Sequence, residues 1–229
     1  MENQLSEKES LELIGQMINT AKNNLQKGTG KIILLWGYIA AGISFFTWLL
    51  YEFLPKDIRY DAFFLWFLMA AGYPFHYMLV KRIEREKLVK TYIEGLMNRV
   101  WIGFTISILV IVLGMLIDTL LVLKFSGSVA RPPNVPVRMF EFIHYFHWLL
   151  LTPFILCLYG FALFVSGKAY DFKPLSIGGL FCFTASFFLL FSLHKTGVYG
   201  LQMFTLFISA VAGFVIPGHM LNWKEHKDV

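Results

Sequence analysis

Four residues of this 229-residue chain are of types, and at spacings, that could bind a divalent metal such as zinc or pass protons: Asp118, Glu141, His144 and His147. Glu141, His144 and His147 recur at i, i+3 and i+6, so a helix places them on one broad face. Imidazole and carboxylate are the groups that ligate zinc or relay protons near neutral pH. All four lie in or beside apolar runs, where an ionisable group is costly and therefore a functional suspect. A structural reading competes with this one. Tyr145, Phe146 and Trp148 are interleaved with the histidines, as in an interfacial aromatic belt where imidazoles meet water and headgroups, with Asp118 paired to a nearby Arg or Lys. Two histidines with distant acids make a weak metal pattern, so the structural reading leads. His76 is a second intramembrane candidate: Pro74, two residues earlier, lacks an N–H and frees a carbonyl that an imidazole could use, the alternative being a proton relay. His219 follows Pro217 and Gly218 and reads as a cap on the carbonyls of an ending helix. Glu52 and His194 fall at outer ends of apolar runs and read as solvated.

Other patterns that resemble chemistry fail on geometry. Thr196, Gly197, Val198, Tyr199 and Gly200 look like a scrambled potassium filter, but the four residues between the flanking apolar runs leave no room for a re-entrant pore helix. Gly42, Ile43 and Ser44 carry a serine-nucleophile pattern whose only base, His219, falls at the opposite membrane face. Gly30 with Lys31 lacks the remaining phosphate-loop residues. No cofactor motif is read, and no nucleophile and base fall at one depth.

The elements that must position these residues follow from composition. The chain is 57% hydrophobic and only 15% charged, with a mean hydropathy of +0.60, against about 25% charge in soluble domains. Crossing a bilayer takes about 20 apolar residues as a helix, because no water is present to satisfy free backbone groups. Six runs qualify: Ile32–Leu54, Ala62–Val80, Val100–Leu123, Tyr145–Val165, Leu175–Leu193 and Val198–Leu221. The fold class is therefore an all-α polytopic bundle of six transmembrane helices. Cys157 and Cys182 both lie in these runs and read as small buried hydrophobes, not as a disulfide.

Lys and Arg resist translocation, and fourteen of the twenty fall on the side of the N-terminal segment, the 81–99 loop and the C-terminal tail. Both chain ends are predicted to be cytoplasmic, and the net charge of +5 reflects this bias rather than a nucleic-acid partner. Residues 1–30 form a cytoplasmic amphipathic helix and glycine linker, 31–223 the membrane domain, and 224–229 a cytoplasmic tail. In the first of these, Ser6 and Glu9 have capping-box spacing, and Leu11, Ile14, Ile18, Ala21 and Leu25 line one face. Helix 6–27 could dock on a partner, pair with a second copy, or lie on the membrane. The cytoplasmic loop 81–99 keeps a helical rhythm. The external loop 124–143 holds Arg131, Pro132, Pro133, Asn134, Val135 and Pro136, an extended run. Leu35, Trp36, Ala40, Ala41 and Gly42 recur as Leu65, Trp66, Ala70, Ala71 and Gly72. With Gly178, Gly179, Ser209, Ala210 and Gly213, these small residues suggest close helix contacts.

Leu158, Tyr159, Gly160, Ser166, Gly167, Phe172, Lys173, Pro174, Leu175, Ile177, Gly178 and Gly179, with Ile216, Pro217 and Gly218, resemble a group of uncharacterised bacterial inner-membrane proteins. A helix like 10–27 followed by Leu34, Leu35, Trp36 and Gly37 extends the likeness over most of the chain. The resemblance implies six spans in a bacterial inner membrane and brings no activity. The leading expectation is thus a non-enzymatic accessory, sensory or scaffolding protein acting through its cytoplasmic helices. The alternative is a small transporter with an outward-facing site at Asp118, His144 and His147.

Overall fold

The computed structural model of the chain describes residues 10–13, 15, 28–86, 91–125, 137–194 and 197–227. Among them all regular structure is helical. Helix α1 spans Thr29–Phe53. A 3-10 segment, Arg59–Leu68, runs into α2, Met69–Glu86. Then come α3, Tyr92–Phe125, α4, Val137–Ala169, and α5, Lys173–Ser192. The last rod comprises α6, Val198–Ala210, a π segment, Val211–Val215, and α7, Ile216–Lys227. Six of these rods are long and apolar enough to cross a membrane, so the six-span all-α bundle holds. Residues 6–27, predicted as the amphipathic helix, lie outside the described residues except for 10–13, which are helical, and 15.

Four rods make the core: α1, α4, α5 and the α6–α7 rod. The α4–α5 hairpin is the most extensive pairing. Its turn is tight because α4 ends in a Schellman-type cap, with Asp171 left-handed at φ 50° and Phe172 N–H donating to Gly167 O at 2.8 Å. Burial in this turn pushes the Tyr170 phenol up to about 12, so it is neutral at cellular pH. Leu156, Leu163, Leu175, Leu189 and Leu206 are sealed inside. Small residues set the helix spacing. A Cβ on Gly178 would lie 2.8 Å from Gly213 Cα, and one on Gly37 2.8 Å from Phe214 Cβ, so α5 and α1 approach the last rod almost backbone to backbone. Ala40 and Ala41 join this seam against Ala210, whereas their repeat counterparts Ala70 and Ala71 are exposed. The repeat is thus not two copies of one packing face.

Helices α2 and α3 are peripheral. The first rests on α1 and the second chiefly on α4, with almost none of either apolar stretch buried. They also extend further than hydropathy predicts. The loop 81–99, predicted to be cytoplasmic, is the polar end of α2 and the start of α3, not a separate helix, with 87–90 outside the described residues. A capping box fixes the new start: Thr91 N–H donates to Glu94 Oε2 at 3.1 Å, and Glu94 N–H to Thr91 Oγ1 at 3.3 Å. At the other end of these spans α4 begins at Val137, directly after Pro136, so the loop 124–143, predicted to be external, contributes about two helical turns to it.

The sixth span corrects the prediction for its end. Pro217 and Gly218 do not stop it. Proline's ring clashes with the carbonyl four residues back and supplies no N–H, so the helix widens to π geometry just before it, with Ile216 N–H reaching Val211 O. In lipid an open end would strand carbonyls, which makes widening cheaper than termination. Cys157 is also exposed, on the outer face of α4, while Cys182 is buried as expected.

Candidate functional site

The predicted polar site is partly assembled. Asp118 and Thr119 lie near the end of α3, and His147 and Trp148 lie on the facing stretch of α4. His147 Nδ1 is 3.5 Å from Asp118 Oδ2. Thr119 donates its one hydroxyl proton to Met115 O at 2.9 Å and accepts from Trp148 Nε1 at 2.8 Å. Its oxygen lies 3.3 Å from His147 Nε2. With both ring nitrogens protonated, the imidazolium bridges Thr119 and Asp118. Asp118 is therefore paired with a histidine, and among the described residues with no Arg or Lys. Since α3 rests chiefly on α4, this clasp fixes α3 at that end, as the Phe104–Tyr159 stack, at 5.1 Å between centroids, does nearer the other.

Glu141 and His144 are on the first turns of α4, but their side chains lie outside the described residues. Among the described residues no three His, Cys, Asp or Glu side chains converge to hold a metal ion. Asp118 is 60% exposed at the bundle's edge, which suits a surface pair better than a gated channel residue. A shallow groove of about 290 Å³ runs between α3 and α4 past Gly103, Phe104 and Leu158, lined mainly by apolar groups and without Asp118.

His76 does not use the carbonyl freed by Pro74. Its Nδ1 accepts from Trp36 Nε1 at 3.1 Å, and its ring lies 5.7 Å from that indole. An accepting Nδ1 carries no proton, so the tautomer is set and the group joins α1 to α2 as a structural contact. His219 is likewise no carbonyl cap: its Nε2 meets the Tyr38 hydroxyl at 2.5 Å, joining α7 to α1. Ser44 donates to Ala40 O at 2.7 Å within its own helix.

Two features escaped the sequence reading. Pro153, inside α4, leaves the Leu149 carbonyl without its usual partner, and the buried amide of Gln202 on α6 donates to that oxygen at 2.7 Å. Ser186 on α5 donates to Pro153 O at 2.7 Å, so three core helices meet at one proline. A lone Gln in one span and a mid-span Pro in another were the available signal. The second feature lies where α1 ends and the last rod begins. There Tyr51, Tyr60, Phe63 and Tyr199 form a ring cluster, and the Arg59 guanidinium lies 5.1 Å above the Tyr51 ring.

Comparison with family models, with curated proteins and with solved structures returned no match.

Proposed function

We propose that this integral membrane protein is a non-enzymatic accessory, sensory or scaffolding component of the bacterial inner membrane, acting by contact through its cytoplasmic helical segments. The observation that carries the reading is the filled interior of the four-rod core. Its buried polar groups that hydrogen-bond, such as Gln202, Ser186 and Ser44, do so to helix carbonyls, while Leu156, Leu163 and Leu206 occupy the space a solute path would need. On the predicted cytoplasmic side, Ile33, Met97, Tyr170, Phe172 and Leu221 belong to the same buried cluster. That apolar floor includes Ile33 near the start of α1, and the contact with a partner protein or a second copy is assigned to the preceding segment 6–27. The Lys and Arg distribution supports placing both chain ends in the cytoplasm, and the resemblance noted above supports the bacterial inner membrane.

The Asp118–His147 pair favours a second reading, a small transporter with an outward polar site that includes His144. Proton entry into dye-loaded proteoliposomes under an imposed pH gradient separates the two. The contact reading expects wild type and Asp118→Asn to match protein-free vesicles, whereas a flux lost in Asp118→Asn would replace it with transport.

A further inference from the structure

We propose that the groove between α3 and α4 holds one anionic phospholipid, its phosphate on Arg99 and one acyl chain along the groove. In a bilayer, hydrocarbon fills any apolar groove open to the lipid, so what distinguishes one site from another is the headgroup its polar end selects. Here that end is a cation. Arg99, Gly103, Phe104 and Ser107 of α3 face Leu158 and Phe161 of α4 across a space of about 290 Å³. Arg99 immediately precedes the apolar run Val100–Leu123, which puts it at headgroup depth. Ser107 lies eight residues further in, about 12 Å along the helix. The groove thus starts at a charge and descends into hydrocarbon, as a phospholipid does.

The charges decide the headgroup. Arg99 is exposed, is itself part of the groove wall, and makes no ion pair among the described residues. Its fork of N–H donors matches the oxygens of a phosphate. No carboxylate lines the groove. Glu94, five residues earlier, projects from nearly the opposite face of α3 and accepts from Thr91 N–H. An ammonium-bearing headgroup would therefore bring a second cation to Arg99 with no acid to receive it, which selects a headgroup of net negative charge. Ser107 makes no polar demand deeper in, because its hydroxyl donates to Gly103 O at 2.8 Å. The apolar walls contribute only to a ligand that carries a hydrocarbon chain, which selects a lipid over free phosphate. Gly103 keeps the groove open: a Cβ there would meet nothing within 4 Å, whereas one on Gly178 would meet backbone. A transporter would carry the same groove, so the inference does not depend on the contact reading.

Native mass spectrometry of the full chain in detergent tests it, with titration by phosphatidylglycerol, phosphatidylethanolamine, a diacyl glycolipid without phosphate, and inorganic phosphate. One phosphatidylglycerol should bind ahead of the other three. Arg99→Gln should weaken it by about tenfold, the loss of a charge-assisted hydrogen bond, and erase the preference over phosphatidylethanolamine. Gly103→Leu, which puts a side chain into the open groove, should weaken phosphatidylglycerol with Arg99 still present. Arg85→Gln, which removes an exposed cation of α2 away from the groove, should leave binding unchanged. Full binding in Arg99→Gln or Gly103→Leu, an equal loss in Arg85→Gln, or equal binding of phosphatidylethanolamine or the glycolipid would overturn the assignment. So would uptake of inorganic phosphate with no lipid, or a lipid-free dimer that Gly103→Leu dissociates, which would make a second copy the occupant.

Discussion

Gly178→Leu should abolish the native fold, and Gly178→Ala should cost about 1–3 kcal/mol, the range for overpacking a filled interior. The added Cβ would stand 2.8 Å from Gly213 Cα and 3.1 Å from Gly213 O. These are backbone atoms of the π segment, so no side chain can swing aside. Relief requires moving α5 off the last rod, and the space at Gly213 is itself close, since a Cβ there would meet Leu163 Cδ1 at 3.0 Å and Cys182 Sγ at 3.1 Å. Gly42→Ala is the matched comparison: nothing lies within 4 Å of its Cβ position, and alanine favours a helix by about 1 kcal/mol over glycine. Equilibrium unfolding in mixed micelles should show Gly178→Ala well below wild type and Gly42→Ala equal to it or above. Similar stabilities for the two variants would mean that α5 does not rest on the π segment.

The second large effect belongs to Gln202. Gln202→Leu removes the donor at 2.7 Å from Leu149 O, leaving a carbonyl orphaned by Pro153 in a medium without water. The expected cost is about 1–2 kcal/mol, between the penalty for an unpaired buried acceptor and the smaller values measured for polar contacts between membrane helices. The cause can be isolated with Pro153→Ala, which restores the N–H that bonds Leu149 O within α4. In that background Gln202→Leu should be nearly neutral, so the double-mutant cycle should give a coupling of about 1 kcal/mol. Additive losses would show that Gln202 stabilises the core by packing alone.

What was readable in the sequence and what was not divides along a physical line. A span announces itself by length and hydropathy, so all six were legible to within their polar ends. Those ends were missed where the helix continues past the hydrocarbon: Thr91 with Glu94 starts α3 well before the apolar window, and that T-x-x-E spacing was available to be read. Pro217 followed by Gly218 signals a helix end in water, yet a bilayer raises the cost of stopping and the backbone widens instead. For the candidate site, residue types suggested Asp118 and His147, and the fold does bring them together. Pairings between helices far apart in sequence were not legible, since hydropathy gives no rotation of one rod against another. Trp36 taking His76, Tyr38 taking His219, and Gln202 reaching the proline on α4 are all of this kind. The small-residue pattern at Gly178 and Gly213 foretold a close crossing without saying which helices cross.

Thiol accessibility in intact cells tests the filled interior most directly. In a background with Cys157 and Cys182 replaced by alanine, single cysteines would be placed at Leu156, Leu163, Leu206 and Ala210, and at Glu2 and Asp228 near the chain ends. A membrane-impermeant maleimide should label none of the six from outside; once the membrane is opened, Glu2→Cys and Asp228→Cys should react and the four core positions should not. Outside labelling at the core positions, or at one chain end alone, would contradict a filled, six-span core with both ends on the cytoplasmic side.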